Sequence, residues 1–133
     1  MTDIATLLQD DATTVAVVGA TDDPSKYGSV IYRDLKRKGF TVWPVNNHRD
    51  TVDGDTAYRS LRVLPELPTI VNIVVPADQT LTVLREAEQL GLHNVWVQPG
   101  AESGAVMEYL EQGEFTYLAN ACIMTRSRHR SVA

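Results

Sequence analysis

The chain has a single cysteine, Cys122, so no internal disulfide can form, which agrees with a reducing compartment. No apolar run approaches the roughly 20 residues that cross a bilayer, so no membrane span is expected. Its first eleven residues are acidic where a secretory leader would be basic, and the cytoplasm is the expected location. Positive charge is also scarce. Lys and Arg number 12 against 17 Asp and Glu, a net charge of −5, with no basic stripe to neutralise a nucleic-acid backbone. The one basic cluster, Arg126, Arg128, His129 and Arg130, reads as a solvated tail. Finally, none of the 8 glycines stand in the G-x-G-x-x-G spacing that lets a backbone approach a dinucleotide pyrophosphate.

What remains is an ordinary globular composition, 44% hydrophobic and 22% charged over 133 residues, enough for one domain with a sizeable core. The most informative stretch is 14–38. It opens with Val15, Ala16, Val17 and Val18, a run suited to a strand buried on both faces. Gly19 ends that run, and a polar loop carrying Pro24 and Gly28 follows. From Ser29 the apolar residues Val30, Ile31 and Leu35 recur at helical spacing, and Lys36, Arg37 and Lys38 close the helix before Gly39. Strand, glycine-bearing loop and helix form the nucleotide-binding half of a Rossmann-like unit, in which the free N–H groups at the helix start hold phosphate. A βα turn with no ligand fits these glycines equally well, and Asp22 and Asp23 would repel a phosphate unless they point away.

Along the rest of the chain, 3–10 reads as a short helix capped by Thr2 or Asp3, and 40–45 as a second strand. Pro44 within that strand argues for an end or an edge position. A turn is expected at Asp53–Gly54, and at most a single helical turn between Arg59 and Leu67. A third strand covers 70–75, followed by a helix capped by Asp78 with Leu81, Val83, Leu84, Ala87 and Leu90 inward. A fourth strand at 94–98, a helix at 102–112 and a fifth strand at 115–118 complete the alternation. Strands alternating with helices predict a Rossmann-like three-layer α/β fold with a five-stranded parallel sheet in order 3-2-1-4-5. One domain spans 1–133, with its core at 14–125, the N-terminal helix at 3–10 and the basic tail at 126–133.

In such a sheet every strand's C-terminal end lies on one edge, where ligands bind. The loops there carry Gly19, Ala20, Thr21 and Asp22, with Gly28 and Ser29 at the helix start; then Asn46, Asn47 and Arg49; Val74, Val75 and Pro76; Gln98, Pro99 and Gly100; and Asn120. The second loop decides against NAD, whose ribose is held by an acidic residue at that place. Arg49 there favours a ribose bearing an extra phosphate, as in NADP and coenzyme A, although a solvated arginine is as common. Cys122 reads as a small buried residue rather than a nucleophile.

With these segments in order, the chain resembles the stand-alone CoA-binding domain family. That family is related to the N-terminal domain of the succinyl-CoA synthetase alpha subunit and of ADP-forming acyl-CoA synthetases. The resemblance is carried by VAVVGAT (15–21), YGSVIYRDL (27–35), WPVNN (43–47), NIVVPAD (72–78), VWVQPG (95–100) and NAC (120–122). It implies a site for coenzyme A or an acyl-CoA, with Gly19 to Asp22, Gly28 and Ser29 at the diphosphate. Arg49 stands where the synthetases place a lysine near the CoA nucleotide, Val74 to Pro76 flank the adenine or pantetheine, and Gln98 to Gly100 line the pantetheine end. Three positions depart from the family pattern: Asn47 replaces a proline, Ala121 an arginine and Met124 a lysine. The synthetases' phosphorylated histidine belongs to a domain outside this match, and none of His48, His93 and His129 fits its motif. The expectation is therefore a small-molecule nucleotide binder without catalysis of its own. The alternative is an NADP-linked or CoA-dependent enzyme, and protein partners and oligomeric state stay open.

Overall fold

The computed structural model describes residues 3–129. Thr2, the alternative cap of the first helix, and the end of the basic tail lie outside the described residues. The strands and helices alternate as α1 (Ile4–Leu7), β1 (Thr14–Val18), α2 (Tyr27–Arg37), β2 (Thr41–Val45), β3 (Thr51–Val52), β4 (Asp55–Thr56), β5 (Ile70–Ile73), α3 (Ala77–Gln89), β6 (Asn94–Val97), α4 (Gly104–Gln112), β7 (Thr116–Ala119) and α5 (Ile123–Arg126). A single 3-10 turn, Leu61–Val63, occupies the ambiguous segment before β5.

Five strands pair in parallel in the order β2-β1-β5-β6-β7, and β3 with β4 forms a separate antiparallel hairpin. The Rossmann-like parallel sheet is therefore as the alternation predicts. Within it, the strand at Ile70 was expected outboard of β2 and lies instead on the other side of β1, with Val15 beside Ile70. Counting only the strands of this sheet, the sequence is 2-1-3-4-5, the other common doubly wound order. The reason can be seen at two residues. Pro44 has no N–H to give a second neighbour, so β2 belongs at an edge, where Pro44 faces Val17 on one side only. All four residues of β5 are buried, as a central strand requires. The outer edge of β2 is partly covered by Tyr58, whose N–H donates to the Pro44 carbonyl at 2.9 Å.

Alternation along the strands sends side chains to two cores. Val15, Val17, Ile70 and Trp96 face Ile31, Tyr32 and Leu35 of α2, Ile4 of α1 and Ile123 of α5. Ala16, Val18, Val71, Ile73, Val95 and Val97 face Leu84 and Ala87 of α3 and Val106 and Leu110 of α4. Each fully buried Ile, Leu or Val contributes about 1.5–3 kcal/mol relative to exposure, so these two layers dominate stability. Val30 sits one residue, or 100°, around from Ile31 and is 44% exposed, outside the stripe in which the spacing had grouped it.

The helix ends differ in detail from expectation. Asp3 caps α1 by accepting from Ala5 N–H at 3.1 Å, and Ser103 caps α4 by accepting from Val106 N–H at 3.2 Å. Asp78 lies inside the first turn of α3, after Pro76 at the cap position, so its charge meets the helix dipole instead of capping. No helix among the described residues is long and apolar enough to cross a membrane.

Candidate functional site

The loop after β1 and the start of α2 are packed without room to spare. Gly19 has φ +106°, a left-handed conformation that excludes ordinary side chains, and a Cβ there would lie 3.0 Å from the Val74 carbonyl carbon. A Cβ on Gly28 would land 2.0 Å from the Gly19 carbonyl oxygen. Two bare glycine backbones thus let the N-terminus of α2 seat directly on the β1 loop. No side chain caps α2; the Ser29 N–H turns back to the Lys26 carbonyl at 3.1 Å, and Gly28 and Ser29 are both buried within that first turn. Ala20 and Thr21 are buried as well, and Thr21 Oγ1 accepts from Asp23 N–H at 3.2 Å.

The two acids expected to repel a phosphate both have partners within the chain. Asp23 accepts from the N–H and hydroxyl of Ser25 at 3.0 and 2.6 Å, and these bonds hold its carboxyl below the usual range. Asp22 accepts from the Asp53 N–H at 2.7 Å with one oxygen and faces the Arg49 guanidinium at 3.7 Å with the other. The β2 loop is tied to the same place: Asn46 donates to the Ala20 carbonyl at 2.8 Å and accepts from His48 N–H at 2.7 Å. Asn46 therefore braces two loops and is not turned to solvent. Asn47 is exposed, and Arg49 is partly so, with 40% of its side chain accessible.

On the other side of the switch point, Val74 continues the β1–β5 ladder through its N–H to the Val18 carbonyl at 2.9 Å. Val74 and Val75 are half-buried beside it, and Pro76 is exposed. Gln98 is buried, and its amide oxygen accepts from Ile123 N–H at 2.9 Å, which fastens α5 to the edge. Pro99 and Gly100 are exposed, and Thr80 Oγ1 donates to the Ala101 carbonyl at 2.7 Å to hold their loop on α3. Asn120 is exposed in a left-handed conformation with φ 56°, and Cys122 follows half-buried. The structure thus gathers these segments around the 19–22 loop, where Gly28 and Val74 lie against Gly19, Asn46 bonds Ala20 and Arg49 faces Asp22. Gln98 to Gly100 and Asn120 lie on the same edge but two and three strands from β1, roughly 10–14 Å along it at the usual strand spacing. At the family-departure positions, the Ala121 carbonyl accepts from the Trp96 indole at 2.8 Å and the Met124 carbonyl from the Lys38 ammonium at 2.9 Å.

The sequence did not disclose two features. One is the β3–β4 hairpin, of which only the Asp53–Gly54 turn was legible. Both residues have positive φ, 52° and 78°, the signature of a two-residue hairpin turn. Its acids dock on α2: Lys36 meets Asp53 at 3.1 Å and Asp55 at 2.7 Å, and the Tyr32 hydroxyl donates to Asp55 at 2.6 Å. Hydrogen bonds from Lys36 and Tyr32 hold the Asp55 carboxyl low, the same acids raise Lys36, and burial with Asp55 pushes the Tyr32 phenol up. The other is Asn72, fully buried in β5 between Val17 and Trp96 with neither amide atom hydrogen-bonded. An unpaired buried amide costs about 1–3 kcal/mol, and no packing pattern signals it in advance. A cavity of about 590 Å³ lies elsewhere, between α1 and the 125–129 segment, and none of the five loops above contributes to it.

Comparison with known proteins bears on this edge. The family described as the CoA binding domain matches residues 13–128. The alpha subunit of an ADP-forming acetate–CoA ligase II from Pyrococcus furiosus is 35% identical over 82 residues, 61% of this chain and 18% of that subunit. Among solved structures, a conserved hypothetical protein from Pyrococcus furiosus superposes with TM-score 0.82 at 41% identity, covering 86% of this chain and 99% of that one. The dinucleotide-forming acetyl-coenzyme A synthetase 1 from Ca. Korarchaeum cryptofilum, solved with phosphate and ADP, gives TM-score 0.76 at 27% identity. It covers 97% of this chain and 31% of the synthetase. The chain therefore spans under a third of the length of either enzyme it matches.

Proposed function

Because the chain belongs to the CoA binding domain family, we propose that it binds coenzyme A, free or acylated, across the C-terminal edge of its sheet, as a binding module in the cytoplasm. One observation carries this most directly. The uncapped first turn of α2 is seated against the Gly19–Thr21 loop at the β1–β5 switch point, with the Arg49 cation beside it. Coenzyme A has three chemically distinct parts, and each finds a counterpart. The diphosphate suits the helix N–H donors, whose dipole favours negative charge. The ribose 3′-phosphate suits a guanidinium, which grips such groups with paired bonds. The adenine or the pantetheine arm suits the half-buried wall of Val74 and Val75, and the arm would run along the edge toward Gln98, Pro99, Gly100 and Asn120. Of the loop's acids, Asp23 turns an oxygen onto Ser25, whereas Asp22 stays beside Arg49.

Parallel calorimetric titrations with CoA, NADP and NAD test the proposal. A saturable one-to-one isotherm is expected with CoA, and no saturable heat with NAD. Tighter binding of NADP than of CoA would move the site to the reductase class.

A further inference from the structure

We propose that Asp22 is a built-in counter-anion that occupies Arg49 in the free protein and must yield it to a ligand phosphate, so that Asp22 sets how strongly the site selects phosphorylated ribose. This rests on reading the edge as a nucleotide site with Arg49 as phosphate anchor. The geometry is specific on two points. First, the Asp22 carboxylate is fixed. One oxygen is committed to the Asp53 N–H at 2.7 Å, and Asp53 is itself held on α2 by Lys36 at 3.1 Å and Arg33 at 3.7 Å. Lys36 and Tyr32 hold Asp55, the other arm of the hairpin, in turn. While the hairpin stays docked, that bond holds Asp22 beside Arg49. Second, its pairing with Arg49 is loose. At 3.7 Å the contact is longer than the 2.7–2.9 Å of a charge-assisted hydrogen bond, so the guanidinium's forked donors are not consumed by it. A phosphate that accepts two of those donors wins the exchange, but it does so beside a fixed negative charge. Asp23 also lies within electrostatic reach of Arg49, with its own oxygen turned onto Ser25.

The hairpin thus has a role beyond covering the sheet. It is the clamp that keeps a carboxylate at the phosphate site. Asp22 weakens any anion there, so it lowers the preference for a phosphorylated ribose that Arg49 would otherwise give.

The test compares wild type, Asp22→Asn, Arg49→Ala and the double variant for binding of CoA and of dephospho-CoA, which lacks only the 3′-phosphate. Asparagine keeps an oxygen to accept from Asp53 N–H, so the hairpin stays docked while the charge is removed. Asp22→Asn is expected to raise the CoA to dephospho-CoA affinity ratio about fivefold at low salt, with the gain shrinking as the screening length falls to roughly 3 Å near 1 M salt. In the Arg49→Ala background the gain should vanish, a non-additivity that a merely structural role would not give. Melting in inorganic pyrophosphate gives a readout that does not depend on CoA, and Asp22→Asn should be stabilised more than wild type. An unchanged ratio in Asp22→Asn, with wild type preferring CoA, overturns the counter-anion and leaves the CoA proposal standing. No CoA binding by any variant, but an Arg49-dependent pyrophosphate gain in Asp22→Asn, supports the counter-anion and overturns the CoA proposal.

Discussion

Gly28→Ala is expected to destabilise the protein by about 3 kcal/mol or more, lowering Tm by about 10 °C or more for a chain of this size. The new Cβ would sit 2.0 Å from a backbone oxygen, and backbone at the start of a helix cannot yield as a flexible side chain can. From the sequence alone, this glycine reads as space left for a phosphate. The structure gives that space to the Gly19 carbonyl, so Gly28 holds α2 against the β1 loop as well as belonging to the proposed site. The internal control is Gly104→Ala at the first position of α4, where a Cβ would meet nothing within 4 Å beyond its chain neighbours and its own helix backbone. There alanine should stabilise by about 0.4–1 kcal/mol through the unfolded state. Thermal melts of both variants check the pair. Equal, small effects would mean that the β1 loop can retreat and that the close approach is not required.

The second large effect concerns Arg49. Wild type should bind CoA about tenfold more tightly than dephospho-CoA at moderate ionic strength, equivalent to about 1.4 kcal/mol. A charge-assisted contact contributes roughly 1.5–3 kcal/mol when well buried, but Arg49 is 40% accessible and already faces Asp22, so the lower figure is appropriate. Arg49→Ala should remove most of this ratio. Arg49→Lys should keep part of it, since the charge remains and the fork is lost. Equal binding of the two ligands by wild type, or an equal loss of both in Arg49→Ala, would show that the phosphate is held elsewhere.

How much of this was legible in the chain varies residue by residue. The β1–α2 unit could be read because its periodicity switches at Gly19, a purely local signal. The position of Pro44 already pointed to an edge strand, yet the expected strand order placed β2 inside the sheet. Taking the missing N–H of Pro44 together with the β5 run, apolar but for Asn72, points to the observed pairing. The roles of Asn46, Gln98 and Asp22 were beyond reach. Each side chain commits one polar atom to a backbone group 25 or more residues away, and such partners exist only after folding. The hairpin strands are two residues each, too short for any alternation to register.

The central claim, that coenzyme A occupies this edge of the sheet, is tested most directly by following backbone amide resonances of the labelled protein as CoA is added. The largest shifts are expected at Gly19 to Asp22, Gly28, Ser29, Asn46 to Arg49, Val74, Val75, Gln98 and Gly100, with α1 and Thr125 to His129 unmoved. Shifts confined to Thr6, Gln9, Arg126 and His129, which line the separate cavity, would contradict it, as would a spectrum that CoA leaves unchanged.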